Sequence, residues 1–322
     1  MKEPRFIRRN KDKWEEFERS LTSQHDLTPD RLSDLYLQLM DDLSYARTHY
    51  PKSKVVRYLN QLAVRAHRTI YGTRRESSRR LITFFTQEVP RTFLAYRRYM
   101  LWSALVFSGA ILIGILSTLL EPEFTRTILG DAYVNMTIEN IEKGDPMAVY
   151  KSMESGEMFR LIAINNIRVA ILMYVVGIFA GVPTILLLLT NGVMVGTFMQ
   201  YFVARGLGWT AFSTVFLHGA LELTAIVIVG GCGLLLGSCA LFPGTFSRAH
   251  ALVGGARDSL KLVLGIIPFI VLAALIEGYV TRMYQHLSGG VRLAIILGSL
   301  AALIWYCFIY PLKFKTHAAR TV

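Results

Sequence analysis

The stretch from Ala211 to Phe242 is almost wholly apolar, and it is longer than the roughly 20 residues a helix needs to cross a bilayer. It does not stand alone. Comparable apolar runs occupy Tyr99 to Leu120, Leu161 to Leu189, a shorter piece Val193 to Ala204, Leu260 to Tyr279 and Val291 to Tyr310. Lipid offers no hydrogen-bond partners to a backbone, so runs of this kind span as helices or as closed barrels; continuous apolar stretches of this length, without strand alternation, indicate helices. The expected fold is all-α: a polytopic membrane bundle of about six transmembrane helices over residues 99–312, preceded by a soluble helical bundle over residues 1–98. An extracytoplasmic segment is expected at 121–160, and a basic cytoplasmic tail at 313–322.

Charge placement orients this arrangement. The chain carries a formal net charge of +12, with arginine and lysine concentrated in residues 1–98, between apolar runs and in the tail. Residues 121–160 hold few of them. Cationic residues collect on the cytoplasmic side of spans and next to anionic headgroups, which puts both termini in the cytoplasm and makes membrane lipids the first partner. Six crossings satisfy every loop; five would leave the basic tail outside. No short element interleaves aromatic and basic residues, so nucleic acid is excluded as a partner. Cys232, Cys239 and Cys307 lie inside apolar runs with no metal-ligand spacing, as small buried hydrophobes do. No apolar core follows Met1–Phe6, so the first span is expected to direct insertion.

Residues 1–98 show helical periodicity. Leu32, Leu35, Tyr36, Leu39 and Leu43 share one face after a cap at Thr28-Pro29. Val55, Tyr58, Leu59, Leu62 and Ala66 form a second face after Pro51, and Leu81, Phe84 and Phe85 a third. Trp14 and Phe17 complete a small bundle. In the membrane part, Gly177 and Gly181, Gly192 and Gly196, and Gly233 and Gly237 each form GxxxG, a spacing that lets helix backbones approach. Two readings fit these glycines: packing within one bundle, or a homodimer face.

The apolar runs also carry a few ionisable residues. His218 and Glu222 are four apart and share a helix face; Arg168 and Glu277 fall in the same half of the bilayer under the orientation above. Such residues are costly in lipid, face inward and pair, so Arg168, His218, Glu222 and Glu277 are expected to form one buried polar cluster, with Asn165 and Asn166 near its level. Three uses compete for it: a network that sets helix register, an ion or proton site between broken helices in a transporter or channel, and a metal hydrolase. Interruptions are expected at Pro183, at Thr190-Asn191-Gly192 and at Gly230-Gly231. Catalysis is the weakest option. A zinc site needs about three protein ligands and an open position; His218 and Glu222 supply two, there is no HExxH, and no GxSxG turn supports a serine nucleophile. No catalytic residue, metal or cofactor is expected.

The order Asn165-Asn166-Ile167-Arg168, Gly177 and Gly181, Asn191-Gly192 with Gly196, His218-Gly219 with Glu222, and Glu277-Gly278-Tyr279 resembles the stage II sporulation protein M family. The match covers most of residues 90–312 and marks Asn165, Asn166, Arg168, Asn191, Gly192, His218, Gly219, Glu222, Glu277 and Gly278 as family positions without giving them a chemistry. The sporulation member works with cell-wall-degrading partners in a membrane complex that drives engulfment. The bundle at 1–98 resembles the longer branch of the family, DUF95-type integral membrane proteins often encoded beside a MoxR-type AAA ATPase. The resemblance therefore implies a non-enzymatic scaffold or assembly component of envelope machinery in a bacterial inner membrane, with a MoxR-type ATPase or cell-wall-remodelling proteins as partners.

Overall fold

The computed structural model describes residues 2–22, 29–71 and 79–314, and among them there are helices and turns but no strand. By their internal contacts the residues divide into two units, Met1–Arg80 and Leu81–Val322.

The first unit holds α1 (Glu3–Thr22), α2 (Pro29–His49) and α3 (Lys54–Tyr71). Each is apolar along one stripe only, so each must bury that stripe against the others. Phe6, Trp14, Phe17, Leu35, Leu39, Leu43, Leu59 and Leu62 form the core. Leu39, Leu59 and Leu62 are completely enclosed, and burial of each side chain contributes about 1.5–3 kcal/mol. Ionic groups stay at the edge: the Trp14 indole N–H donates to Asp42 at 2.8 Å, and Tyr58 donates to Glu18 at 2.9 Å. The face expected at Leu81, Phe84 and Phe85 belongs to the second unit. Leu81 begins the second unit, and Phe84 packs on the membrane core.

The second unit begins inside α4 (Arg79–Thr83), which runs on into a π-helical turn (Phe84–Glu88) and α5 (Val89–Leu120). The freed carbonyls of Phe85 and Thr86 accept hydrogen bonds from Tyr306 and Tyr310 at 2.8 and 3.0 Å. A cap follows, made of α6 (Phe124–Leu129), α7 (Asp131–Glu142) and a 3₁₀ turn at Ala148–Lys151. Then come α8 (Ser155–Val175), α9 (Val182–Val203), α10 (Gly208–Leu241), α11 (Arg248–Leu275) and α12 (Gly289–Ile304), the last two prolonged by further helical turns. Among the described residues, six helices are long and apolar enough to cross a membrane. Central α10 is buried around its circumference, with Leu217 to Leu221 all enclosed, as an all-apolar helix in a bundle requires.

Two boundaries differ from expectation. The second span ends at Ile178, not Leu189, because the chain turns at Ala180 and Gly181, both at positive φ, and Pro183 then opens α9. Glycine in the left-handed region followed by proline at a helix start is a strong stop-and-restart signal. The piece expected at 193–204 is therefore the second half of a complete crossing, Val182–Val203. Thr190-Asn191-Gly192 and Gly230-Gly231 lie inside unbroken helices rather than at interruptions. The boundary expected at residue 98 falls within the continuous helical stretch Arg80–Leu120. The cap at Thr28 and the tail residues 315–322 lie outside the described residues.

The glycines make close crossings within the chain. A Cβ on Gly196 would stand 2.1 Å from the Ile111 carbonyl oxygen of α5, and one on Gly192 2.5 Å from the Ala110 Cβ. Gly177 lies against Gly233, and Gly237 against Gly181. All three GxxxG faces are thus occupied inside the bundle.

Candidate functional site

Helix α10 presents His218 and Glu222 one turn apart on one face. Opposite them, α11 gives way to a π-helical turn at Ile276–Val280. A π turn inserts one residue into the helical count and frequently occurs at functional positions; here it carries Glu277. Gly278 lets α8 come close, since a Cβ there would meet the Phe159 Cβ and the Ser155 carbonyl at 3.1 Å each.

The resulting cluster is well defined. His218 is 4% exposed. Its Nδ1 lies 3.1 Å from Thr281 Oγ1, and its Nε2 lies 3.8 Å from Glu277 Oε2. Asn166 Nδ2, from α8, donates to Glu222 Oε1 at 2.6 Å. One donor atom each from His218, Glu222 and Glu277 lies within 4.8 Å of the other two. Two carboxylates this close in a water-poor site require a proton or a cation between them.

The cluster borders a cavity of about 440 Å³ between α8, α9 and α10, roofed by Leu129, Tyr133 and Tyr150 of the cap. Tyr150 sets its ring edge toward the His218 imidazole, centroids 5.5 Å apart. Burial, and then the Glu277 carboxylate, hold the Tyr150 phenol well above its ordinary range, so it remains a protonated hydroxyl. Within the cap Lys151 pairs with Asp145 at 2.6 Å, and two ties to the turns that prolong α11 close this side: Tyr284 donates to Asp145 at 2.7 Å, and Lys151 donates to Gln285 at 3.0 Å.

Of the residues expected at one cluster, His218, Glu222 and Glu277 come together and Arg168 does not. Arg168 is exposed on α8, on the opposite side of that helix from buried Ala163 and Ala170, and it does not line the cavity. The length of the arginine side chain lets its head reach the interface from such a position. Asn165, Asn166, Asn191 and Gly219 all line the cavity. Asn191 donates to the Leu187 carbonyl at 2.8 Å, and a methyl on Gly219 would touch only Val215 Cγ1 at 3.6 Å. Gly192, Gly196, Gly177, Gly181, Gly233 and Gly237 serve the helix crossings.

Two members were missed in sequence. Thr281 stands four residues after Glu277, a spacing that could have marked it. Tyr150 sits in the cap, where nothing local signals a path to His218. The metal argument from sequence counted two ligands; the fold adds Glu277 as a third.

Comparison with known proteins agrees with this division. A family model described as stage II sporulation protein M matches residues 103–282. A model described as a domain of unknown function (DUF8413) matches residues 4–72. No curated protein and no solved structure matches the chain.

Proposed function

Since the chain belongs to the stage II sporulation protein M family, and is a multi-pass membrane protein by its six apolar helices, we propose that its membrane domain acts without catalysis, as a carrier or channel component that takes a cation or small polar solute into the cavity at His218, Glu222 and Glu277. The observation that carries the reading is a cavity of about 440 Å³ inside a membrane bundle, lined by His218 and Glu222, with Glu277 standing behind them in the same cluster. Ionisable residues at such depth are expensive, and where they border a cavity they belong to ion or substrate paths. In this reading the protein lies in a bacterial inner membrane with both termini cytoplasmic, and the cap faces outward.

The test is flux through the purified chain in proteoliposomes, with dyes for protons, monovalent cations and divalent metals. Glu222→Gln keeps the shape and the Asn166 contact, so folding and abundance are expected to hold while flux falls by about tenfold or more, the scale of losing one positioned charge in a dry site. Absence of flux in the parent chain, or equal flux in the variant, defeats the reading.

A second reading is favoured by the separate amino-terminal unit with its own family match. There the chain is a scaffold for envelope-associated machinery, and the bundle docks a MoxR-type AAA ATPase or cell-wall-remodelling proteins. Crosslinking in native membranes distinguishes it: one defined partner is captured by the full chain and lost without residues 1–80.

A further inference from the structure

We propose that His218, Glu222 and Glu277 together bind one divalent transition-metal ion, of the zinc or manganese class, with an open coordination position facing the cavity. The inference rests on the cavity being the working site and adds what occupies its polar wall.

The ligand geometry is the first support. The His218 Nε2 to Glu277 Oε2 distance of 3.8 Å is too long for a hydrogen bond. It matches instead the separation of two ligands on one ion, since bonds of about 2.0–2.2 Å put neighbouring donors about 3–4 Å apart. All three donors fall within 4.8 Å of one another, so the wider-spaced of them have to close by some tenths of an ångström to share one ion. His218 is almost fully enclosed, and its free ring nitrogen points into this group.

The second support is the set of groups behind the ligands. Thr281 Oγ1 holds Nδ1 of His218 at 3.1 Å and so leaves Nε2 for the metal. Asn166 holds one oxygen of Glu222 at 2.6 Å. Ligands fixed from behind in this manner are a property of metal centres, where the supporting residues set tautomer and direction.

Charge is the third. Two carboxylates with a neutral imidazole carry two negative charges, and no lysine or arginine lines the cavity among the described residues. Arg282 is engaged with the Ser155 hydroxyl, Arg292 donates to Ser213 at 2.6 Å, and Arg168 is exposed on α8. One divalent ion neutralises both carboxylates; protons held between them are the competing arrangement, which the metal must displace. The mixture of one imidazole and two carboxylates selects zinc or manganese over calcium and magnesium, which favour all-oxygen shells.

The experiment uses the untagged full chain in detergent, stripped with a chelator and titrated with Zn²⁺ and, separately, Mn²⁺. Calorimetry and elemental analysis after desalting read the stoichiometry. One ion per chain is expected, with a rise in melting temperature on metal addition. Binding is expected to vanish in His218→Ala and in the double variant Glu222→Gln with Glu277→Gln. The double variant also removes the carboxylate repulsion, so it should melt at least as high as the metal-free parent, which separates lost binding from lost folding. Thr281→Val should weaken binding by about 10–100-fold, as loss of a supporting group does, and Arg168→Ala should leave it unchanged. Metal retained by the double variant, or no metal bound by the parent above the level of that variant, overturns the proposal. Flux persisting without bound metal would sink this inference alone; bound metal without any flux would leave it standing and sink the transport reading.

Discussion

The two units are built from the same material, amphipathic or apolar helices, and use polar residues in opposite ways. In the amino-terminal unit the interior is purely apolar and charge sits at the edge, as in Lys13 with Asp42 and Arg65 with Glu18. In the membrane unit the outside is apolar, with Leu105 and Leu112 each about 60% exposed on α5, and the charged cluster is inside. Water solvates an edge charge at little cost, so its presence says little about use. Lipid solvates none, so an interior histidine with two glutamates must be paired, neutralised or employed. The contrast explains why the second unit, rather than the first, announces a site.

Three perturbations probe that contrast, from the largest effect down. Gly196→Leu should be the most damaging. Its Cβ would enter the Ile111 carbonyl oxygen of the neighbouring helix, and backbone cannot yield as a side chain does, so a loss of about 3 kcal/mol or more is expected. Unfolding of the purified chain in detergent measures it; parent-like stability would show that the tight α5–α9 crossing is not required.

Leu39→Ala comes next. Leu39 is completely buried in the soluble core, and the cavity left should cost about 2–5 kcal/mol. Amide exchange is expected to rise in α1, α2 and α3 while α9 and α10 keep their protection. Equal loosening of all five helices would erase the division into two units.

The smallest effect concerns an edge charge. Hydrogen bonds from Arg65 and then Tyr58 hold the Glu18 carboxyl below its ordinary 4.5. A depressed carboxylate favours the folded state above its unfolded value, and that contribution fades as pH falls through the folded value. Glu18→Gln should therefore exchange faster than the parent in α1 and α3 at neutral pH, and the difference should close as the pH drops below about 4. Since the side chain is about 35% exposed and water screens the pair, the gap is expected to be slight; a gap that widens in acid would reverse the assignment of the favoured form.

Much of the fold was legible in sequence because helices report locally. The apolar faces at Leu35, Leu39 and Leu43 and at Val55, Leu59 and Leu62 are those that pack, and six membrane helices follow from run length. The misreadings were at turns. Asn191-Gly192 looks like a break, yet that glycine serves the α5 crossing; of the interruptions expected, the one at Pro183 is the break, together with Gly181. Phe6 went unnoticed because one aromatic among charges sets no period, and it nonetheless fills the soluble core at 4% exposure.

For the site, the pairing of His218 with Glu222 was determined by sequence alone, since a separation of four residues fixes a shared helix face whatever surrounds it. The all-helical class and the apolar exterior were likewise determined there, because length and hydropathy act residue by residue. Depth in the membrane already suggested Glu277 as a further member; tertiary structure alone decided that Asn166 and Thr281 hold the group from behind, that Arg168 stands apart, and that Tyr150 covers the site. Those residues meet through helix rotation and a one-residue π turn, and rotation depends on how close neighbouring backbones come. Gly278 sets that distance for α8 and Gly196 for α5, through contacts with residues far away in the chain.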